Sequence, residues 1–364
     1  MRTSLKLTAV LALAVASASA PAAARLIGTS AGPAFTSIGP LAFAPDGTLF
    51  AADRQAASIL ALDLGSQASS GTAGTKDIPA VDQKIAAMLG TAPADITITD
   101  LAVHPQSKNS FVSVMRGQGP DAKPALLRID GAGKIDLVAF DNMKFTSVTL
   151  PNPAAVNATG RGGRTSSVTD MALVNGRLVV AGLSNEEFAS KLWSIAYPFT
   201  TTDRGASVEI FHGNHGGLET RAPVMAFVPY TVDNQPTILA GYTCTPLVKF
   251  PIASLKPGEK IVGTTIAEFG AGNSPLDLFL YKKDGKDFLL MSNSRHGVLK
   301  ISTAPFGTAQ AITAKVTTPT GGVPFESIAS MAGVEQMDLL DAQRTIVIAR
   351  GQDGVRNLTA IILP

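Results

Sequence analysis

The chain has 364 residues and a formal net charge of +2, with 30 Lys and Arg residues against 28 Asp and Glu residues. This balanced charge, together with an aromatic content of only 6%, argues against nucleic acid or an anionic membrane surface as a partner. The single cysteine, Cys244, excludes an internal disulfide, and the single tryptophan, Trp193, argues against a role in stacking sugars.

The N-terminus predicts a secretory signal peptide. Arg2 and Lys6 precede the apolar run LTAVLALAVASASA and a stretch of small residues, and this run is shorter than a membrane-spanning helix requires. We expect residues 1–24 to be removed and residues 25–364 to form a single domain. Because no later stretch is apolar enough to span a bilayer, we expect a periplasmic or secreted monomer that does not insert into membranes.

The rest of the chain repeats one unit. The stretch from Ile38 to Gly65 contains three short β-prone segments, LAF, TLFAA and SILALD, separated by a Pro-Asp-Gly turn and a polar corner. Five later stretches have the same layout, and the first strands of the six copies begin at Leu41, Leu101, Met171, Met225, Leu278 and Met337. A fourth β-prone segment follows each of the first five copies: the weak GTKDIP, then KIDLVAF, SVEIFHG, TTIAEFG and AITAKV.

The sixth copy ends at the C-terminus without a fourth strand, and the β-prone segment Arg25 to Gly28 could supply it. Six such units predict an all-β fold, a six-bladed β-propeller whose last blade is closed by the N-terminal strand of the mature chain. Closure of the ring would protect the sheet edges from pairing with other chains.

In a propeller, the loops between blades lie on the same rim as the corners that follow the second strands. Here the loops between blades are long and chemically rich, so we expect this rim to be the working face. One of these loops has apolar residues at helical spacing from Val81 to Leu89, which predicts a short helix. Another, DNMKFTSVTLPNPAAVNATGRGGRTSS, is either a lid or a disordered insertion.

Three of the four histidines and the only cysteine fall on this rim. His212 and His215 precede blade 4, Cys244 ends its second strand, and His296 occupies the equivalent corner of blade 5. Imidazole and thiolate are preferred ligands of zinc and copper, so these four residues predict a metal site. Two alternatives stay open: Cys244 is a thiol nucleophile with a histidine base, or the cysteine and histidines are structural.

A column of acids lies one residue before the first-strand anchors. Asp100, Asp170 and Asp277 occupy this position, where the innermost strands start at the central channel. Carboxylates that converge there could bind calcium, and Asp100 and Asp170 could act as a general base. The alternative is that each aspartate caps backbone N–H groups of the neighbouring blade.

The second-strand corners also carry basic and amide residues. We expect a substrate-binding role for Arg54, Arg116, Arg295, Arg350, Asn185 and Asn293. Guanidinium groups around one mouth would bind a carboxylate or phosphate through paired hydrogen bonds. Ion pairing with neighbouring acids such as Asp53 and Asp353 is the competing account.

The run LAFAPDGTLFAADRQAASILALD resembles a blade of the NHL-repeat and gluconolactonase-type (senescence-marker-like) six-bladed propellers. The gluconolactonase-type enzymes imply a divalent metal held by Glu, Asn and Asp near the start of the inner strands. The matching positions here are Gly39, Thr99, Thr169, Pro223, Leu276 and Glu335, of which only Glu335 has a suitable side chain. The amidating lyases of the NHL group imply zinc bound by histidines at the channel mouth.

These observations favour an exported zinc- or copper-dependent enzyme, hydrolase- or lyase-like, that acts on a small anionic substrate at the channel mouth. A propeller that binds a ligand or a protein without catalysis is the first alternative, because the fold supports both kinds of function. A Cys-His thiol enzyme is the second.

Overall fold

The structure is a computed structural model that describes residues 25–26, 32–156 and 162–364. Within these ranges the chain forms six β-sheets, which we number blades 1 to 6 by the position of their innermost strands in the sequence. The predicted six-bladed β-propeller is thereby confirmed. The predicted signal peptide, residues 1–24, and residues 157–161 of the predicted lid lie outside the described residues.

The first three blades contain the following strands, from the innermost outward. Blade 1 contains β2 (Leu41–Phe43), β3 (Leu49–Asp53), β4 (Ser58–Asp63), β9 (Lys144–Thr149) and β1 (Arg25–Leu26). Blade 2 contains β5 (Ile96–Val103), β6 (Ser110–Arg116), β7 (Lys123–Ile129) and β8 (Ile135–Leu137). Blade 3 contains β10 (Asp170–Val174), β11 (Arg177–Leu183), β12 (Ser190–Ala196), β13 (Ala206–His212), β14 (Gly217–Glu219) and, parallel to β13, β18 (Lys260–Val262).

The other three blades are built in the same way. Blade 4 contains β15 (Val224–Val232), β16 (Gln235–Tyr242), β17 (Pro246–Pro251), β19 (Thr264–Glu268) and β23 (Gly321–Gly322). Blade 5 contains β20 (Pro275–Lys283), β21 (Lys286–Asn293), β22 (Gly297–Ser302) and β24 (Glu326–Ile328). Blade 6 contains β25 (Val334–Leu339), β26 (Arg344–Arg350) and β27 (Arg356–Ile362).

The predicted short helix is present as α1 (Val81–Met88), which packs against β27. Single turns of 3-10 helix lie at Gly65–Ala68, Pro93–Asp95, Gly119–Asp121, Arg164–Ser166, Ile252–Ser254 and Ala329–Met331. In the described part of the chain, no helix combines the length and apolar character needed to cross a membrane.

Blade 2 is inserted between the third and fourth strands of blade 1. The chain leaves blade 1 after β4, forms α1 and all of blade 2, and then returns to pair β9 with β4. The innermost strands touch in the ring order 1, 3, 4, 5, 6, 2, so blade 2 lies between blades 6 and 1. The prediction of GTKDIP as the fourth strand of blade 1 is therefore wrong. AITAKV is likewise not the fourth strand of blade 5, a place that β24 takes.

The edge of blade 6 is covered by the connection that leads to α1. Ile78 and Leu358 exchange two backbone hydrogen bonds of 2.8 and 3.0 Å, and Asp77 accepts the N–H of Ala360 at 2.8 Å. Arg25–Leu26 pairs with β9 of blade 1, while residues 27 and 28 lie outside the described ranges, so closure of the last blade by the N-terminal strand stays a prediction. In the described part of the chain, residues 77–80 cover the edge of blade 6.

The hydrophobic core is divided among the blade interfaces. One cluster joins blades 2 and 6 beneath α1, and another joins blades 1 and 3 around Trp193, which is fully buried. Further clusters lie between blades 3 and 4, 4 and 5, 1 and 2, and 5 and 6. Because each interface buries its own apolar side chains, this packing agrees with the ring order of the inner strands.

Half-buried aspartates that line the central channel connect the inner strands. Asp100 accepts the N–H of Leu41 in blade 1 at 2.6 Å, and Asp170 accepts the N–H of Phe227 in blade 4 at 2.6 Å. Asp277 accepts an N–H from blade 6, and Asp338 accepts one from blade 2. Each carboxylate also accepts the N–H of the next residue in its own strand. The capping interpretation is confirmed, whereas the catalytic and calcium-binding roles of Asp100, Asp170 and Asp277 stay predictions.

Burial shifts the protonation of these aspartates. It raises the pKa of Asp100 to about 8, of Asp170 to about 7 and of Asp338 to about 6, although the backbone hydrogen bonds pull each value down. A folded-state pKa above the usual 3.8 means that the folded protein holds a proton that the unfolded chain releases between these two values. The free energy of unfolding should therefore be highest at acidic pH and fall as the pH rises toward 7 and above.

We predict that Asp170→Asn flattens this pH dependence, because the amide is neutral at every pH. Each pH unit over which the folded state holds one extra proton changes the free energy of unfolding by about 1.4 kcal/mol. Urea denaturation between pH 5 and pH 7 should thus show a slope reduced by about 1 kcal/mol per pH unit in the variant. The exposed Asp141→Asn serves as the control. An unchanged slope in Asp170→Asn would contradict the buried, protonated state of this residue.

Candidate metal site

A tight hairpin at the outer edge of blade 3 brings two histidines side by side. β13 ends at His212, the chain turns through residues 213–216, and β14 returns with Gly217 opposite His212. The carbonyl oxygen of His212 accepts the backbone N–H groups of His215 and Gly216 at 3.2 and 2.8 Å. The two imidazole rings consequently lie with their centroids 3.9 Å apart. The stretch HGNHGGLE, which lies in one of the loops predicted between blades, therefore forms a hairpin.

One carboxylate orients both imidazoles. The Nδ1 atom of His212 lies 2.8 Å from Oε2 of Glu219, and the Nδ1 atom of His215 is hydrogen-bonded to Oε1. An ionised carboxylate can only accept, so each ring carries its proton on Nδ1 and presents a lone pair on Nε2. Burial alone would raise the pKa of Glu219, but the bonds from the two histidines outweigh it and hold the pKa below its ordinary value.

Cys244 lies at the tight corner between β16 and β17 of blade 4. Its φ angle is 63° and that of Thr245 is 62°, a left-handed conformation that costs a non-glycine residue about 1–3 kcal/mol. Two backbone hydrogen bonds hold the corner, from Cys244 N–H to the Asn273 carbonyl at 2.6 Å and from Thr245 N–H to the Tyr242 carbonyl at 2.8 Å. A strained corner that is fixed in this way places the thiol at a defined position.

His212, His215 and Cys244 form one group. One ligand atom from each residue lies within 4.8 Å of the other two. His212 is only 1% exposed, and its Nε2 atom has no hydrogen-bond partner among the described residues. Desolvation lowers the pKa of His212, which favours the neutral imidazole that a metal ion binds. Two imidazoles and one thiolate are a donor set that suits zinc or copper.

Glu268 connects this hairpin to blade 4. It is fully buried at the end of β19, where it accepts the N–H of Gly213 at 2.6 Å and the side-chain amide of Asn214 at 2.9 Å. Its Oε2 atom lies 4.0 Å from Nε2 of His212. Burial raises the pKa of Glu268 to about 7, partly offset by these hydrogen bonds.

A cavity of about 530 Å³ opens beside the three donor residues. Arg221 lies in its wall and supplies a cationic group, while Leu218, Ala222 and Pro223 contribute apolar surface. Gly162, which follows the part of the chain outside the described residues, also borders the cavity. The room beside the donors is sufficient for a small molecule.

The structure brings together three of the four predicted metal ligands. His296 is not part of the group, because its ring lies against Gly270 at the next corner of the propeller. Asp100 and Asp170 border the central channel rather than this cavity. Sequence reasoning did not single out Glu219, Glu268 or Arg221. The spacing of His212, His215 and Glu219 along one predicted loop was a signal that could have indicated Glu219. No sequence pattern indicated Glu268.

The predicted substrate-binding residues do not border this cavity. Arg350 pairs with Glu335 at 2.6 Å, and Arg116 donates to the carbonyl of Gly90 at 3.3 Å. Arg54 lies at a different cavity, described below, and Arg295 lies near Gly272. The remaining two residues, Asn185 and Asn293, are likewise absent from the cavity wall. The four guanidinium groups therefore do not converge on the metal-ligating group.

We predict that Glu219→Gln weakens zinc binding about 10- to 100-fold, the usual effect of losing a carboxylate that orients metal-bound histidines. In the amide, one of the two carboxylate oxygens is replaced by an NH2 group, which can only donate and cannot accept the Nδ1–H of the imidazole that faced that oxygen, so this imidazole loses its orientation. Competition against a chromophoric chelator measures the affinity. Glu187→Gln, an exposed glutamate of the same blade, is the matched control. Equal affinities in the two variants would show that Glu219 has no such role.

No protein-family model matches the chain, and no curated protein matches its sequence. Among solved structures, the chain is similar to the PQQ-bound form of an aldose sugar dehydrogenase from Streptomyces coelicolor. The TM-score is 0.31 and the identity 12%, over 94% of this chain and 100% of that chain. At these values the likeness carries no argument about function. The resemblance to NHL-repeat and gluconolactonase-type proteins is confirmed at the level of their shared architecture, a six-bladed β-propeller.

Proposed function

We propose that this chain is an exported metal-dependent enzyme, with one zinc or copper ion held by His212, His215 and Cys244. The observation that carries the proposal is the buried Nε2 atom of His212, which has no partner among the described residues. A buried polar atom without a hydrogen bond costs about 1–3 kcal/mol, and a metal ion would satisfy it. Export rests on the predicted signal peptide, residues 1–24, and leaves residues 25–364 as the working domain.

The spacing of the donors supports a small ion. In a tetrahedral zinc site with bonds of about 2.0–2.3 Å, the donor atoms lie about 3.5 Å from one another. The donors here lie within 4.8 Å of one another, so side-chain shifts of about 1 Å would close them on an ion. Three protein donors leave a fourth position for substrate, which is typical of catalytic rather than structural zinc.

The surrounding residues support a hydrolase- or lyase-like reaction on a small anionic molecule. Bound zinc supplies Lewis-acid polarisation of a substrate oxygen. Glu219 keeps the protons of both imidazoles on Nδ1, and burial keeps His212 neutral, so both rings are ready to bind the ion. Arg221 in the cavity wall would hold the anionic group of the substrate.

Two alternatives are less well supported. A thiol enzyme needs a hydrogen bond between the nucleophile and its base, but none joins Cys244 to either imidazole in the described residues. Copper electron-transfer sites use the same donors with a weak axial ligand that is usually methionine, and the described residues that line this cavity include no methionine. Zinc is therefore our first choice of metal.

Metal analysis of the purified exported protein tests the proposal. We expect about one equivalent of zinc in the wild type and less than about 0.1 equivalents in Cys244→Ser, because structural and catalytic sites lose their ion when a ligand is removed. His296→Ala, whose histidine lies outside the group, should retain the metal.

The activity is tested separately. Hydrolysis of a panel of carboxylate-bearing esters should stop on chelation and return with added zinc.

Two results would contradict the proposal. One is wild-type protein with less than about 0.1 equivalents of any transition metal, unchanged by Cys244→Ser. The other is ester turnover that survives chelation but is lost in Cys244→Ser, since that pattern identifies a thiol enzyme. A metal-loaded protein with no turnover on any substrate would instead favour the binding propeller.

A further inference from the structure

A second cavity, of about 620 Å³, lies where blades 1 and 2 meet, away from the metal-ligating group. It is bordered by the segment that precedes β2, by the corner after β3 and by the loop that follows β6. Among the described residues that line it, Arg54 is the only charged one. A cavity of this size, with one cationic group and no acid among its described lining residues, has the properties of a ligand site.

The guanidinium group of Arg54 is held in place but is not neutralised. Its Nε atom donates to the carbonyl oxygen of Thr165 at 2.7 Å. In the described part of the chain, Arg54 makes no ion pair, and no hydrogen bond is made by its two terminal nitrogens. The rim arginine Arg350, by contrast, is paired with Glu335. An arginine without an anionic partner in a partly enclosed site is free to bind an anion.

The backbone leaves space for the Arg54 side chain beside Gly39. A Cβ atom at Gly39 would lie only 2.1 Å from Cδ of Arg54, so the arginine can cross the chain here only because residue 39 is glycine. Gly39 precedes the innermost strand of blade 1, which places Arg54 near the mouth of the central channel. A larger residue at position 39 would block the close approach of the Arg54 side chain to the backbone and would displace the guanidinium group.

The nearby acids are already engaged. The oxygens of Asp53 accept hydrogen bonds from Thr36, Ser37, Gln55 and Ala56. Asp100 is the acid whose charge acts on Arg54, but it lies beyond ion-pair distance and accepts two backbone N–H groups. Burial raises the pKa of Asp100 to about 8, which favours its neutral form, and no ion pair joins this carboxyl to Arg54 in the described part of the chain.

We propose that this cavity is a binding site for a small molecule that carries one carboxylate and an apolar body. The two terminal nitrogens of Arg54 match the two oxygens of a carboxylate, a pairing that is both directional and charge-assisted. Ile38, Met115, Pro120 and Ala122 supply apolar surface for the rest of the molecule. One cation and no acid among the described lining residues favour a monoanion over a phosphate with two charges.

This site is separate from the metal-ligating group but close to it along the chain. Thr165, which holds Arg54, borders the second cavity, and Gly162 borders the first. The three residue steps from Gly162 to Thr165 span at most about 11 Å. The proposal rests on the cavity and on Arg54 alone, so it stands or fails independently of the metal.

Calorimetric titration of the whole exported chain with hexanoate tests the proposal, with hexanamide as the neutral probe of the same shape. We expect saturable one-to-one binding of hexanoate, and binding of hexanamide that is weaker by about tenfold or more, as expected for a lost charge-assisted pair. This comparison uses wild-type protein and needs no variant. Absence of saturable hexanoate binding, or equal binding of the two probes, would overturn the proposal.

Variants locate the site. Arg54→Gln should weaken hexanoate binding about tenfold or more, while Arg350→Gln, which removes an ion-paired rim arginine, should leave it unchanged. Gly39→Ala keeps the charge but displaces the Arg54 side chain, and it should weaken binding in the same direction. Thermal denaturation confirms that each variant is folded. Wild-type affinity in both folded Arg54→Gln and folded Gly39→Ala would contradict the assignment.

Discussion

Hydrogen bonds that backbone N–H groups donate to half-buried aspartates of the neighbouring blade fix how the blades follow one another. At four of the blade junctions a carboxylate accepts one N–H from its own strand and one from the strand beside it. These bonds join the innermost strands of neighbouring blades. They explain why blade 2, although inserted into blade 1, lies between blades 6 and 1. The position of every rim loop follows from that order.

The metal-ligating group depends on the junction of blades 3 and 4. The histidines belong to a hairpin at the outer edge of blade 3, and the cysteine belongs to a corner of blade 4. Glu268 of blade 4 binds the backbone of the hairpin turn and so holds the two parts together. Glu219 then sets the orientation of both rings. A site made from two blades keeps its geometry only if the ring order is correct.

The repeat pattern predicted the number of blades, most strands and the helix, because turn residues and alternating apolar segments are local signals. It could not predict that blade 2 is inserted into blade 1. The length of the connection after β4 does not specify where the chain goes next. The register of the repeats correctly placed His212, His215 and Cys244 near one another. His296, at the equivalent corner of the next blade, lies against Gly270 and outside this group.

Asp338 was not among the predicted acids, because the residue before the anchor Met337 is Gln336. At the junction of blades 6 and 2 the contact is shifted by two residues, so that Asp338 accepts the N–H of Val103. A shift of two residues keeps the side chain on the same face of the strand, which is why the bond still forms.

Arg54 was predicted as one of a set of binding residues, yet only the structure distinguishes it from Arg350, which is ion-paired.

The measurement that tests the metal site most directly is X-ray absorption at the zinc edge of the loaded protein. The arrangement of His212, His215 and Cys244 predicts one sulfur neighbour at about 2.3 Å and two imidazole nitrogens at about 2.0–2.1 Å. In Cys244→Ser the sulfur neighbour should disappear. A zinc environment of only oxygen and nitrogen neighbours in the wild type would contradict the account.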